Sequence, residues 1–100
     1  MERKDGTSGQ AVRGLSREGF LRRLDAGKAV NCVYRAGELS GLLSAWRHEE
    51  EFVLTWEECR DGDQSNENLY TRDERHRFAA AEAVLAFLEQ AGYPASRFGP

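Results

Sequence analysis

LSGLLSAWRH, residues 39–48, is the stretch whose reading decides the fold. Leu39, Leu42, Leu43 and Trp46 recur at i, i+3, i+4 and i+7, the spacing of one helix face. Read as a strand, the same residues leave apolar side chains on both faces. Two features favour the strand. Gly41, with Ser40 and Ser44 beside it, makes a weak helix interior, and the segments on either side read as strands joined to it by tight turns, which together form a meander.

On the C-terminal side, Glu51 to Cys59 is the clearest strand of the chain. Phe52, Leu54 and Trp56 fall on one face, and Val53, Thr55, Glu57 and Cys59 on the other. On the N-terminal side, Lys28 to Ala36 alternates in the same way, with Val30, Cys32 and Tyr34 opposite Ala29, Asn31, Val33 and Arg35; Ala36-Gly37-Glu38 reads as the connecting turn. Residues 60–68, RDGDQSNEN, have loop composition, and Leu69-Tyr70 is expected to add a short fourth strand. Thr71-Arg72-Asp73-Glu74 has the form of a capping box, so a long helix is expected from there to Ala91, with Gly92 as its stop and Pro94 beyond. Its buried stripe would be Phe78, Ala81, Val84, Leu85, Leu88 and Phe87. Phe98 is expected to fold back onto the core.

Before the meander, Ser16 reads as a helix N-cap, with Leu15 and Phe20 as a hydrophobic staple and Gly27 as the stop. The apolar side of this short helix is Phe20, Leu21 and Leu24. Residues 1–14 are polar and glycine-containing and are expected to form a flexible tail. The expected architecture is therefore α+β: a short N-terminal helix, a three- to four-stranded antiparallel meander and a long C-terminal helix packed on one face of the sheet, in a single domain over residues 15–100. One hundred residues at 40% hydrophobic content suit one modest core. No apolar run approaches the length of a membrane span, and the opening residues lack a secretory apolar segment, so a cytoplasmic location is expected. Cys32 and Cys59 lie in separate strands without metal-type spacing and are expected to stay reduced.

The formal charge of −3 conceals an asymmetry. Residues 1–35 hold eight cations against four acids, a net +4, and residues 36–100 hold six cations against thirteen acids, a net −7. The negative charge concentrates around the central strand. Between residues 49 and 67, Glu49, Glu50, Glu51, Glu57, Glu58, Asp61, Asp63 and Glu67 face only one cation, Arg60. Such polarity bears on partners and association rates rather than on fold.

Catalytic and metal patterns are weak. Asp61-x-Asp63-x-Ser65-x-Glu67 spaces oxygen ligands as a calcium loop does, but Asn66 stands where that loop needs glycine and Arg72 where it needs a bidentate glutamate. Cys32, Cys59, His48 and His76 share no zinc spacing, and no nucleophile elbow, phosphate loop or HExxH occurs. Adjacent exposed glutamates share one environment, whereas general acid–base catalysis needs two carboxylates in different ones. No cofactor, no metal and no enzymatic activity are expected.

Arg72, Arg75, His76 and Arg77 would crowd the first turns of the last helix, where a phosphate site is conceivable. The order helix, three strands, helix resembles the double-stranded-RNA-binding domain in outline, but Asp73 and Glu74 interrupt the basic cluster that opens that domain's last helix. The reading that best uses the charge pattern is a non-enzymatic binding protein. Its acidic face (Glu49, Glu50, Glu51, Glu57, Glu58, Asp61, Asp63, Glu67) would dock on a basic protein surface and inhibit that partner, in the manner of an immunity protein, antitoxin or anti-defence protein, with the chain acting as a monomer or homodimer. Two alternatives belong to other classes. One is a nucleic-acid-binding module using Arg13, Arg17, Arg22 and Arg23 with the arginines near residue 72, a partner that the acidic half disfavours; the other is an acidic secretion chaperone.

Overall fold

The computed structural model describes residues 14–62 and 66–100. The chain runs α1 (Arg17–Asp25), β1 (Val30–Ala36), β2 (Leu39–His48), β3 (Glu51–Arg60), β4 (Arg72–Phe78) and α2 (Ala81–Gln90), with single 3-10 turns at Glu67–Leu69 and Ala95–Arg97. The four strands form one antiparallel sheet in the order β1-β2-β3-β4. Both helices lie on one face of it; no helix covers the other face among the described residues, although Val53 and Cys59 are buried there.

Residues 39–48 are a strand, as the meander reading expects. The reason Gly41 belongs there is visible in the pairing: it sits opposite Tyr34 across β1 and β2, and the Tyr34 ring lies directly over it. A β-carbon at position 41 would overlap that ring, so the absence of a side chain is what permits the aromatic to cross.

The largest departure concerns residues 69–78. The expected short strand at Leu69-Tyr70 is absent; Leu69 ends a 3-10 turn, and the fourth strand is Arg72–Phe78. The capping-box pattern at Thr71 therefore does not open a helix, and the C-terminal helix is ten residues long, beginning at Ala81. Arg72, Glu74, His76 and Phe78 turn to the helix-covered face and Asp73, Arg75 and Arg77 to the uncovered one, as the register with β3 dictates. Charged residues are poor strand formers in the middle of a sheet. At an edge they serve, because a charged edge strand discourages pairing with other chains. Gly92 does terminate α2, with φ of 96°, which favours glycine.

The remaining elements follow their sequence signals. The Ser16 hydroxyl accepts the Gly19 amide at 2.9 Å, capping α1. Phe20 and Leu24 are fully buried, and from α2 so are Val84, Leu85 and Leu88. The core between helices and sheet adds Val30, Cys32, Leu43, Ala45, Phe52, Leu54 and Trp56. Phe98 does fold back: it is buried edge-on against Phe20, with ring centroids 5.3 Å apart. Next to it, Gly99 exchanges two backbone hydrogen bonds with Asn31 (2.8 and 2.9 Å) on the outer side of β1. The tail expected over residues 1–14 lies outside the described residues except for Gly14, which packs against the Ser96 backbone closely enough that a β-carbon would clash. No described helix is long and apolar enough to cross a membrane.

Candidate functional site

The register separates the acids that the sequence groups together. Glu57 points to the uncovered face, whereas Glu58, its neighbour in β3, points to the helix side. Glu49 and Glu50 form the β2–β3 turn, and Glu51 begins β3; Asp61 follows the other end of the same strand. Ten residues of strand put those two ends about 30 Å apart. Asp63 lies outside the described residues, and Glu67 is described only in its backbone. Because β3 is an inner strand covered laterally by β2 and β4, the described acids do not form a continuous negative ridge along a sheet edge.

Several of these carboxylates have internal partners. Glu51 lies 3.5 Å from the Arg77 guanidinium. Asp61 is bonded to Arg35 and to the Ser40 hydroxyl. Glu58 accepts the Tyr34 hydroxyl at 3.0 Å and lies 4.0 Å from Arg72. That contact belongs to a partly buried polar chain that the sequence does not announce. The Trp56 indole N–H donates to the Tyr34 oxygen at 2.9 Å, Tyr34 donates to Glu58, and the Arg72 guanidinium stacks over the Trp56 ring at 3.9 Å. Tyr93 closes the cluster against both Tyr34 and Trp56.

The Tyr34 pKa is pushed up to about 12 from its ordinary value near 10, first by burial and then by the bond to, and the charge of, Glu58; the indole N–H opposes the shift. Since the folded state holds this proton more tightly than the unfolded chain, the associated stability is complete below pH 10 and is lost as pH rises from about 10 to 12. Tyr34→Phe leaves the Trp56 N–H without its acceptor, at a cost of about 1–3 kcal/mol near neutral pH. The gap in denaturation midpoint between wild type and Tyr34→Phe should therefore narrow between pH 10 and 12; a gap that stays constant across that window would show that Tyr34 does not titrate late.

Of the described acids between residues 49 and 67 three are left over, and one on β4 joins them. Glu49, Glu50 and Glu57, with Asp73, have no cation within ion-pairing distance among the described residues. Glu57 and Asp73 stand directly opposite each other across β3 and β4 on the uncovered face. Asp73 escapes a sequence reading because the capping-box pattern assigns it to a helix; the two-residue alternation of residues 72–78 is the signal that places it beside Glu57. Arg75, next along the same face, turns to Trp46 instead, its guanidinium 6.0 Å from that ring. Glu49 has φ of 60°, in the left-handed region where glycine or asparagine is favoured. With His48, Glu50, Glu51 and Arg77 it lines a shallow depression of about 330 Å³ at the hairpin end of the sheet.

The histidines and cysteines do not converge. His76 sits on β4 against Phe87, 2.9 Å from Glu74; His48 is exposed at the end of β2. Cys32 and Cys59 are buried on opposite faces of the sheet, and burial raises the Cys32 thiol pKa against the opposing influence of Arg97. Among the described residues no three His, Cys, Asp or Glu side chains are grouped to hold a metal ion. Comparison of the chain with protein-family models, with curated proteins and with solved structures gives no significant match.

Proposed function

We propose that the chain is a small non-enzymatic binding protein that docks its acidic surface on a basic protein partner and thereby inhibits it. The observation that carries this reading is the pair Glu57 and Asp73, side by side on the sheet face that no helix covers and without a cation partner among the described residues. Like charges directly opposite each other in a sheet destabilise it, so the arrangement costs the free protein something that a basic partner would relieve. Glu49 and Glu50 extend the uncompensated charge to the hairpin end, and Glu49 does so in a backbone conformation that glycine adopts with less strain. Long-range attraction from these groups would accelerate encounter with a basic surface.

Most of the arginines that a nucleic-acid reading would use have partners within the chain, although they remain on the surface. Arg17 pairs with Glu89, Arg22 with Glu18, Arg77 with Glu51 and Arg72 with Glu58, while Arg23 donates to the Ala29 carbonyl.

Capture from the native host with wild type and with a Glu49→Lys, Glu50→Lys, Glu57→Lys, Asp73→Lys variant tests the reading. Glu58 is left intact because Tyr34 depends on it. Wild type should retain a partner with a basic surface, and the variant should lose it. Recovery of the same partners by both proteins, or of none by either, would sink the proposal.

A further inference from the structure

The uncovered sheet face carries a groove of about 320 Å³ whose lining includes Val33, Ser40, Leu42, Glu57, Cys59 and Tyr70. Its walls are mainly apolar, and Val33, the most exposed large hydrophobic among the described residues, is part of them. Val33 is 76% exposed and Leu69, adjacent to Tyr70 in the chain, is 50% exposed; they are the two large hydrophobic residues with such exposure among those described. The pairing places Val33, Leu42, Glu57 and Asp73 in one row across the four strands. Half of that row is aliphatic and half anionic, with neighbouring positions about 5 Å apart.

The two halves of the row call for one kind of occupant. A purely apolar segment would bury Glu57 without a partner, which is costly. An anionic one would add to the repulsion already present between Glu57 and Asp73. The chain's own cations nearby do not fill the role: Arg35 is bonded to Asp61, and Arg75 lies over Trp46. A lysine or arginine side chain satisfies both halves, because its methylene stem packs on apolar surface while its head group seeks carboxylates.

We infer that the groove is the seat of a lysine or arginine from a basic, apolar-flanked segment of a protein partner, with the stem along Val33, Leu42 and Tyr70 and the head between Glu57 and Asp73. This rests on the docking function proposed above and assigns that function its contact point. The flanking apolar residues of the partner would cover Val33 and Leu69, which a small polyamine would leave exposed.

The test is an NMR titration of the full chain with an acetylated, amidated hexapeptide of alternating leucine and lysine. Two control peptides replace leucine by serine or lysine by glutamine. Saturable amide shifts are expected at Val33, Leu42, Glu57, Tyr70 and Asp73, with affinity at least about tenfold weaker for either control and for the Glu57→Gln, Asp73→Asn protein. That variant removes a repulsion, so its spectrum elsewhere should remain that of the wild type. The inference is overturned if the leucine–lysine peptide gives no saturable shifts up to millimolar concentration, if the shifts centre on residues 49–51, or if the serine–lysine peptide binds equally well. A second readout separates this inference from the docking reading. If the fourfold lysine variant loses the host partner while Val33→Ser and Glu57→Gln, Asp73→Asn both keep it, the groove assignment fails and docking through the remaining acids stands. If capture is insensitive to all charge changes, the docking reading itself fails, and the groove assignment falls with it.

Discussion

Gly41→Ala is expected to lower stability by about 3 kcal/mol, a fall in Tm of about 15 °C. The added methyl would occupy space held by the Tyr34 ring. A flexible aromatic would swing aside at little cost, but Tyr34 is fastened on three sides: its oxygen takes the Trp56 indole N–H, its hydroxyl proton goes to Glu58, and Tyr93 packs on its ring at 5.1 Å. Any displacement breaks the polar chain and leaves a buried indole N–H without an acceptor, so the overpacking and the lost hydrogen bonds act together. A double-mutant cycle isolates the cause. In a Tyr34→Leu background the ring is gone, and Gly41→Ala should cost less than about 1 kcal/mol, since the remaining effect is that of an ordinary strand substitution. Thermal or urea denaturation of the four proteins measures the coupling. A Gly41→Ala protein that melts within 2 °C of wild type would show that the tyrosine is not fastened as described.

Phe98→Ala should cost about 3–5 kcal/mol, the range for removing a fully buried aromatic. The side chain is 1% exposed and packs edge-on against Phe20, so its loss opens a cavity at the point where α1 meets the C-terminal segment. More than packing depends on it. The Phe98 carbonyl accepts the Leu15 amide at 3.1 Å, and Gly99 caps the outer side of β1 at Asn31. With the anchor removed, both ends of the described chain should loosen together, and amide hydrogen exchange should speed up at Leu15, Asn31 and Gly99 before it does in β2 and β3. Faster exchange confined to Gly99 would indicate that Leu15 and the start of α1 are held independently.

These two sites also mark where sequence reading reaches and where it stops. Phe98 is legible as a core residue because a large aromatic in a short polar tail has no other way to leave water. The strands at residues 28–36 and 51–59 are legible because each alternates with a period of two, and the two helices because a serine cap and a glycine stop bound them or end them. The acids, by contrast, are legible only as a concentration of charge. Alternation sends Glu57 and Glu58 to opposite faces, and whether each is free or neutralised depends on which arginine the neighbouring strand delivers. Arg77 and Arg72 arrive through β4, a strand that the local pattern disguises as the first turn of a helix.

Taken alone, the chain's pattern of apolar and polar residues determined the class of fold, the meander, the existence of the two helices with the C-terminal one on a face of the sheet, and the identity of most of the core. These follow from local periodicity and from the need to remove apolar side chains from water, both of which are written along the chain. Tertiary structure alone decided that Gly41 lies under Tyr34, that residues 72–78 add a fourth strand, and that Asp73 joins Glu57 beside an apolar groove. Each depends on register between segments distant in sequence. A charged stretch such as RDERHRF has no strong local preference of its own, so the open edge of β3 sets its conformation.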